Sequence, residues 1–562
     1  MKNLNKISIL LILLLGLTFT SCETTDLDLI NDPNQITVDN GNLDRYMVAI
    51  QVDFARFADA MGTNGARLTR IEQMGAVNYV TAFEPVQTNF EWRLAYVNMF
   101  SDMKNATALA ESTGERGNHI AVMEILKAYT LLTLVDYFGP VPNSEATNLT
   151  DFPAPTVDAG NLVYESALTM LDSAISRLGL LGNLGLTNDF YYNNDFDKWK
   201  KLANTLKMQA FLNQRLYNPS AVGAFNSIAS NPNNFISSTA DDFQFEYDAL
   251  INDQIDARAP GYQSDYTAGG VTSYRSDWLM NKMLKDNDPR RRYYFFRQNE
   301  CTPGALGING EECGTDPERL FCSTQPRPVH YPGSMVFCSV DNGYWGRDHG
   351  FGGGIPPDTF KRTARGVYPV AGNFDDNRFS SVGIGQGGGG AGITPIYLAS
   401  WSHLMLAEMA LNGGSGDAGS FLRDAMSISI DKVMSFGSKD PDADLSTYAP
   451  SDATVSDYIN DKIGTFNSVS PEERMNILGQ QHFVAHYGNG TNSYNFYRRT
   501  GYPNTLQFTV DPNPGKFVRS FFYPADEANT NQNIAQKANV DLQVFWDTNP
   551  PSAQTGGFPS SN

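Results

Sequence analysis

The stretch DNGYWGRDHG, residues 341–350, concentrates side chains whose chemistry suits the binding of a sugar or a peptide. Aromatic rings pack against apolar ligand faces, and a few polar groups fix a ligand's orientation. The glycines would let a ligand approach the backbone closely. We therefore predict a binding site in this stretch, with Trp345 and Tyr344 as the leading contacts. The polar candidates beside them are Arg347, Asp348 and His349.

The same stretch also has a purely structural interpretation. Trp345 could belong to the core, and Arg347 could form an internal ion pair with Asp348. Three more aromatic residues are binding candidates for which helix packing is the alternative, because each lies four positions from another aromatic residue on one helical face. These candidates are Trp92, which lies near Tyr96, and the pair Tyr274 and Trp278. We interpret Arg498 and Arg499 as structural ion-pair formers.

The sequence contains no motif that predicts catalysis. His482 and His486 have a spacing that can bind zinc, but the residues between them lack the glutamate base of a zinc protease. The glycine run at 385–390 lacks the Lys-Ser/Thr of a phosphate-binding loop, and no G-x-S-x-G elbow occurs. We interpret the two histidines as helix-packing or surface residues, and we predict no catalytic residue, no cofactor and no metal ligand. A calcium ion within 341–348 stays an open alternative, although the EF-hand order is missing.

The N-terminus has the features of a secretory signal. An apolar run over 7–19 follows two lysines and is too short to cross a bilayer, which takes about 20 residues. Thr20 and Ser21 then lead directly into Cys22, a pattern similar to a bacterial lipobox, in which the cysteine is lipidated. A plain secretion signal with an incidental cysteine is the alternative. The prediction comprises a lipoprotein signal peptide over 1–21, a lipidated Cys22 and an acidic tether over 22–40.

The other four cysteines all lie within 38 residues of one another. In the oxidising compartment that a secretory signal implies, they predict two disulfides with three possible connectivities. A zinc site is the alternative, although no C-x-x-C pair occurs. The surrounding segment is rich in Gly and Pro, and a loop that cannot build its own core needs covalent cross-links. The four residues are Cys301, Cys313, Cys322 and Cys338.

The composition limits the class of partner. There are 61 acidic and 41 basic residues, which give a formal net charge of −20. Such a charge repels nucleic acids and anionic lipid headgroups, so we predict no nucleic-acid partner. Hydrophobic residues make up 41% of the chain, which suffices for a large core.

Apolar residues at helical spacing predict a series of helices of about 15 residues. The clearest covers 120–137 and is followed by the helix-breaking pair Gly139-Pro140. The segment YESALTMLDSAISRL at 164–178 resembles the second helix of a tetratricopeptide unit. We therefore predict an all-α, tetratricopeptide-like helical-repeat scaffold. Further helices are predicted over 42–57, 90–109, 199–216, 397–411 and 474–487.

The helical pattern mostly fails between residues 218 and 394, except over 276–284. A loop of this length is usually functional or disordered, and its many aromatic residues argue against disorder. We therefore predict a single domain, 41–562, with a long irregular, ligand-binding insertion over 218–394. The scaffold covers 41–217 and 395–505, and a closing segment covers 506–562.

Several blocks of the chain, in the same order, resemble the SusD/RagB family of outer-membrane lipoproteins. The resemblance covers nearly the whole chain after the lipobox, which makes it specific. The blocks include ILKAYTLLTLVDYFGPVPNSEA (125–146), DKWKKLANTLKMQAFLNQRL (197–216), YWGRDHGFGGGIPPD (344–358), LMLAEMALNG (404–413) and FFYPADEANTNQN (521–533).

The resemblance implies a lipoprotein anchored on the extracellular face of the outer membrane. It also implies a partner, a SusC-like TonB-dependent transporter, on which the lipoprotein sits as a lid. The expected function is to capture an oligosaccharide or oligopeptide nutrient and to deliver it to that transporter, without catalysis. One alternative is a SusD-like subunit with a non-nutrient role, such as surface-protein assembly. A secreted hydrolase is the second alternative.

The lipobox interpretation makes a direct prediction about anchoring. We expect Cys22→Ala to release soluble protein, because each buried methylene of an acyl chain contributes about 0.8 kcal/mol to membrane binding. Fractionation of membranes washed with high salt measures this release. Ser21→Ala keeps a small residue before the cysteine and should remain bound. Cys22→Ala protein that stays in the washed outer membrane would contradict the prediction.

Overall fold

The computed structural model describes residues 42–252, 255–314, 320–353, 357–552 and 558–561. These residues are mainly helical with a few short strands, which confirms the all-α prediction. Cys22, the signal peptide and the tether lie outside the described residues. No helix in the described part of the chain is both long and apolar enough to cross a bilayer.

The first half of the scaffold is a series of helices that pack mainly against their neighbours along the chain. The first helix begins at Asn42, whose side chain accepts the backbone N–H groups of Asp44 and Arg45 and so caps the helix. The helices are α1 (Leu43–Leu68), α2 (Tyr79–Ala82), α3 (Asn89–Arg93), α4 (Ser101–Thr113), α5 (Gly117–Phe138), α6 (Gly160–Arg177), α7 (Phe196–Gln214) and α8 (Ala221–Ala229), with a 3-10 turn over Pro85–Thr88 and a π-helical segment over Leu94–Phe100.

Helix α5 is the centre of this half. It is buried on almost every side, and it ends at Gly139, whose φ of 76° is a conformation that glycine adopts without strain. Helix α6 packs against α5, α7 against α6, and α8 against α7. This succession of neighbouring pairs is the arrangement expected of tetratricopeptide-like repeats.

Two short antiparallel pairs of strands organise the insertion. Strand β1 pairs with β4, so that Glu246 lies opposite Ile393 and the two ends of the insertion meet. Strand β2 pairs with β3. In chain order the elements are β1 (Phe243–Glu246), α9 (Pro260–Asp265), α10 (Asp277–Lys285), α11 (Arg291–Tyr294), β2 (Phe295–Phe296), β3 (Ala364–Arg365) and β4 (Ile393–Tyr397), with 3-10 turns over Pro232–Asn234, Thr239–Asp241 and Phe321–Thr324.

The four clustered cysteines form two disulfides, which confirms the prediction and excludes them as zinc ligands. Cys301 pairs with Cys313, and Cys322 pairs with Cys338. Each bond therefore closes a separate short loop within the insertion. A cross-link of this kind stabilises the folded state chiefly by restricting the unfolded chain.

The second half of the scaffold returns to helices and closes against the first. Helix α12 packs against α13 and α16, and α17 packs against α1. The helices are α12 (Ala399–Leu411), α13 (Ala418–Met434), α14 (Leu445–Tyr448), α15 (Asp452–Ser468), α16 (Pro471–Ala485), α17 (Thr491–Thr500) and α18 (Ala525–Thr530), with a 3-10 segment over Ser435–Lys439.

Arg498 and Arg499 on α17 both have structural roles. Arg499 is buried and forms an ion pair of 2.7 Å with Glu408 of α12. The same carboxylate lies 3.1 Å from Arg215, which follows α7. Arg498 instead donates hydrogen bonds to the backbone carbonyls of Asp136 and Arg519. These contacts join the two halves of the scaffold through buried charges.

We expect Glu408→Gln to lower the free energy of unfolding by about 3–5 kcal/mol, because it leaves two buried guanidinium groups without their counter-charge. Denaturant unfolding of the mature protein measures the change. The control is Asp172→Asn, which breaks an ion pair between Lys207 and a carboxylate that is 63% exposed. Exposed pairs contribute at most about 1 kcal/mol. Equal losses in the two variants would contradict the prediction.

Candidate functional site

A cleft of about 570 Å³ lies where the helical scaffold meets the insertion. Thr63 and Arg67, one turn apart on α1, form part of one wall, and the loop that follows the helix contributes Glu72, Gln73 and Gly75. Residues from three separate loops of the insertion form the opposite wall. They are Thr272, Ser273, Tyr274, Arg347, Gly352, Arg362 and Arg365.

Short backbone bridges hold these loops together. Glu72 pairs with Arg275 in antiparallel fashion, and Ser276 pairs with Arg347 in parallel fashion. The side-chain amide of Gln73 donates to the carbonyl oxygen of Asp348 at 3.2 Å. The loop after α1 is therefore tied directly to two segments of the insertion that are far away in sequence.

A cluster of four charged side chains lies at the base of the cleft. Glu72 accepts hydrogen bonds from Arg275 at 2.9 Å and from Arg365 at 3.2 Å. Asp265, which is fully buried, pairs with the same two arginines. Burial alone would raise the pKa of Asp265, but the two guanidinium groups outweigh it and hold the pKa below its ordinary value.

Tyr274 is held in the cleft wall by charged neighbours. The guanidinium carbons of Arg347 and Arg362 lie 3.9 and 4.0 Å from its ring centroid. Two groups this close cannot share one face of the ring, so each face is covered by one arginine. The hydroxyl donates to Asp358 at 2.8 Å. Two of the candidates from the sequence, Tyr274 and Arg347, therefore line the cleft, but the tyrosine offers no open face for stacking.

The two leading candidates, Trp345 and Tyr344, lie behind the cleft wall. Each is 1% exposed. The indole N–H of Trp345 donates to Asp358 at 3.1 Å, and the ring of Tyr344 lies under the guanidinium of Arg297 at 5.0 Å. Neither ring has a surface that a ligand reaches in this structure, which fits the alternative that Trp345 belongs to the core.

Asp348 and His349 are also buried and face away from the cleft. The Asp348 carboxylate accepts hydrogen bonds from the backbone N–H of Cys338 at 2.8 Å and from the side-chain amide of Gln507. Among the described residues, the ion pair between Arg347 and Asp348 that the structural interpretation of the sequence proposed does not form. Burial raises the pKa of Asp348 to about 7. Burial lowers the pKa of His349 well below its ordinary value, and its ring lies beside Tyr79.

The remaining candidates, Trp278 and Trp92, form contacts elsewhere in the fold. Trp278 is 6% exposed and donates to the carbonyl oxygen of Thr505 at 2.9 Å. Trp92, also 6% exposed, donates to Glu527 at 3.2 Å and packs against Tyr96. Neither contributes to the cleft lining. Both tryptophans therefore connect a helix to the C-terminal part of the chain, which is a structural role.

His482 and His486 lie together in the core of the second half. Their rings stack at 4.0 Å, and His486 also stacks on Trp401 at 4.2 Å. Burial lowers the pKa of His486 to about 3. No group of three or more His, Cys, Asp or Glu side chains is arranged to hold a metal ion in the described part of the chain.

A smaller recess of about 60 Å³ extends the cleft towards α1 and shares Thr63, Glu72 and Arg365 with it. Asp59 lines this recess, and burial raises its pKa to about 6 even though Arg365 acts in the opposite direction. The recess therefore places the acidic group of Asp59 next to the arginine-rich lining of the cleft.

A second groove of about 600 Å³ lies on the scaffold alone. Apolar and polar side chains share its lining equally, and the charged groups among those described are Lys104, Glu124 and Lys127. The cleft differs because polar side chains from both the scaffold and the insertion converge in it. We therefore take the cleft as the candidate ligand site.

The sequence interpretation missed most of the cleft. Arg67 and Glu72 lie in the predicted scaffold, and nothing in their local pattern distinguishes them from surface charges. Arg362 and Arg365 lie in the basic segment KRTAR at 361–365, which is unusual in so acidic a chain. That segment is the one signal that could have indicated a cationic site.

Two family profiles match this chain. The first, SusD-like_2, is described as "Starch-binding associating with outer membrane" and matches residues 49–336. The second, described as "Susd and RagB outer membrane lipoprotein", matches residues 394–548. No curated protein sequence matches the chain. The first match alone covers half of the sequence.

Solved structures share the fold at low sequence identity. A protein described as chitin-binding is 19% identical with a TM-score of 0.62, over 90% of this chain and 100% of the other. A SusD/RagB-family protein from Bacteroides thetaiotaomicron is 20% identical with a TM-score of 0.62, over 90% and 99%. A chitin-binding SusD homolog from Flavobacterium johnsoniae is 15% identical with a TM-score of 0.60, over 90% and 99%. These identities show a common fold.

The burial of Trp345 generates a stability prediction. We expect Trp345→Ala to lower the free energy of unfolding by about 3–5 kcal/mol, because it removes a large buried ring and leaves a cavity. Denaturant unfolding measures the loss. Phe90→Ala, at a ring that is 46% exposed, is the control and should cost far less. Unchanged stability together with weakened ligand binding would instead support the original binding interpretation.

Proposed function

Because the chain belongs to the SusD-like family of outer-membrane lipoproteins, we propose that it captures an oligosaccharide at the cell surface and delivers it to a SusC-like TonB-dependent transporter. The anchor would be the lipid on Cys22, which places the protein on the extracellular face of the outer membrane. Two structural relatives described as chitin-binding support a glycan over a peptide as the ligand class.

The observation that carries this proposal is the polar cleft between scaffold and insertion. Thr63, Gln73, Thr272 and Ser273 supply hydroxyl and amide groups, which match the hydroxyl-rich edges of a sugar. Gly75 and Gly352 add stretches of lining without side chains, where a ligand can approach the backbone. The cleft is large enough for a few sugar residues of a longer chain that continues outside.

A binding role suits the cleft better than hydrolysis. Hydrolysis of a glycosidic bond generally uses two carboxyl groups, one on each side of the bond. Among the described residues, Glu72 is the one carboxylate that lines the main cleft, and Asp59 lies in the adjoining recess. The two oxygens of Glu72 accept hydrogen bonds from Arg275 and Arg365, which gives this carboxylate a role in joining the insertion to the loop after α1.

The proposal is tested by filling the cleft without adding charge or an aromatic ring. A Cβ at Gly75 would meet only the Gln73 side chain, at 3.4 Å, so Gly75→Leu should fold normally. We expect it to weaken oligosaccharide binding about tenfold or more, which corresponds to about 1.4 kcal/mol. Gly223→Leu is the matched control, because its Cβ would lie in open space on α8. Calorimetry with soluble protein lacking the signal peptide measures both variants.

The second readout is the partner. Affinity purification from mildly solubilised outer membranes should recover a larger transporter protein, in about equal amount, with the wild type and with Gly75→Leu. Recovery of the lipoprotein alone would contradict the transporter proposal. An oligosaccharide affinity that is unchanged in Gly75→Leu would contradict the placement of the ligand in the cleft.

A further inference from the structure

The candidate cleft is cationic although the protein as a whole is strongly acidic. In the part of the chain that the structure describes, four arginines and one glutamate are the charged residues of its lining. The formal net charge of the whole chain is −20. A concentration of one sign of charge within a concave site attracts ligands of the opposite sign. The arginines therefore need a specific explanation.

Internal ion pairs account for only part of this positive charge. Arg365 is matched by Glu72 and Asp265, and Arg362 by Asp358. In the described part of the chain, no carboxylate lies within ion-pair distance of Arg67; the buried Glu91 influences it only through space. Arg67 thus lines the cleft with no direct ion-pair partner among the described residues.

Arg362 and Arg347 extend the cationic wall. Arg362 is 2% exposed, and its Nη2 group is a buried donor with no hydrogen-bond partner in the described residues. Buried donors are nearly always paired in native proteins. Arg347 is half-buried, and this burial lowers the pKa of its guanidinium, which marks a cation in a poorly solvated place. The positive charge of both guanidinium groups would attract an anion in the cleft.

The cleft has no surface suited to an uncharged, stacking sugar. Among the described residues, Tyr274 is the one aromatic residue of the lining, and arginines cover both ring faces. The described lining also contains no aliphatic side chain that would hold the apolar residues of a peptide. Hydroxyl, amide and guanidinium groups remain, and these recognise a ligand that carries both hydroxyls and negative charges.

We propose that the cleft binds an acidic oligosaccharide whose sugar residues carry carboxylates, with Arg67 and Arg347 as the carboxylate-binding groups. The hydroxyl and amide side chains between them would contact the sugar hydroxyls. A guanidinium binds a carboxylate through two parallel hydrogen bonds, which gives both strength and orientation. This inference rests on the proposed glycan-capture function and specifies the chemical class of the glycan.

The test compares two oligosaccharides of equal length by calorimetry, tetragalacturonate as the acidic probe and chitotetraose as the neutral one. We expect measurable binding of tetragalacturonate and at least about tenfold weaker binding of chitotetraose. Arg67→Gln should weaken tetragalacturonate binding roughly tenfold or more, because it removes a charge-assisted contact. The matched control is Arg45→Gln, an exposed arginine on the same helix outside the cleft, which should bind as the wild type does.

The outcomes separate failure of this inference from failure of the proposed function. Chitotetraose binding as tight as tetragalacturonate binding, or no effect of Arg67→Gln, would overturn the acidic class while leaving glycan capture intact. Binding of neither oligosaccharide, in a protein that still co-purifies with a transporter, would count against glycan capture itself. Hexaglutamate that binds as tightly as tetragalacturonate, with the same sensitivity to Arg67→Gln, would overturn the carbohydrate assignment in favour of an acidic peptide.

Discussion

The arrangement of the ligand site depends on one buried ion cluster, formed by Glu72, Asp265, Arg275 and Arg365. Burying four charges is costly, and the cost is offset only when every charge finds its partner in good geometry. Glu72 comes from the scaffold and the other three come from the insertion. The loops can therefore satisfy these charges only in the docked position, in which the insertion closes against α1 and the cleft exists.

The cluster also explains how a cationic site persists in an acidic protein. At physiological ionic strength, charges are screened beyond about 8 Å. The many carboxylates on the distant surface therefore act weakly within the cleft, where the nearby arginines dominate. Glu72 and Asp265 neutralise the arginines at the base, and Asp358 pairs with Arg362 on the wall. In the proposed binding mode, Arg67 on α1 would then meet a carboxylate of the ligand.

The sequence predicts those helices whose apolar residues recur at helical spacing within one short segment. Helix α5 and helix α10 have clear apolar stripes, and both formed within a few residues of the expected bounds. Helix α8 was assigned to the insertion, although it packs on α7 and extends the scaffold. In the cleft, the helical spacing from Trp278 indicates Tyr274 and the aromatic, glycine-rich context indicates Arg347, whereas Arg67 has no such local signal because the insertion residues of the cleft are more than 200 positions away. Local pattern carries no information about which distant loops converge, or about which ring will be buried.

The buried aromatic residues still matter to the site, because they position the groups that line it. Asp358 accepts hydrogen bonds from the Trp345 indole at 3.1 Å, from the Tyr274 hydroxyl at 2.8 Å and from Arg362 at 2.7 Å. The carboxylate is thereby fixed from the core side, and it fixes the tyrosine and the arginine on the cleft side. Tyr274 in turn separates the guanidinium groups of Arg347 and Arg362, which would otherwise repel each other at short range. Trp345 and Tyr274, which the sequence indicated as candidates for stacking against a ligand, thus act from behind the lining. They hold apart the positively charged side chains on the cleft wall.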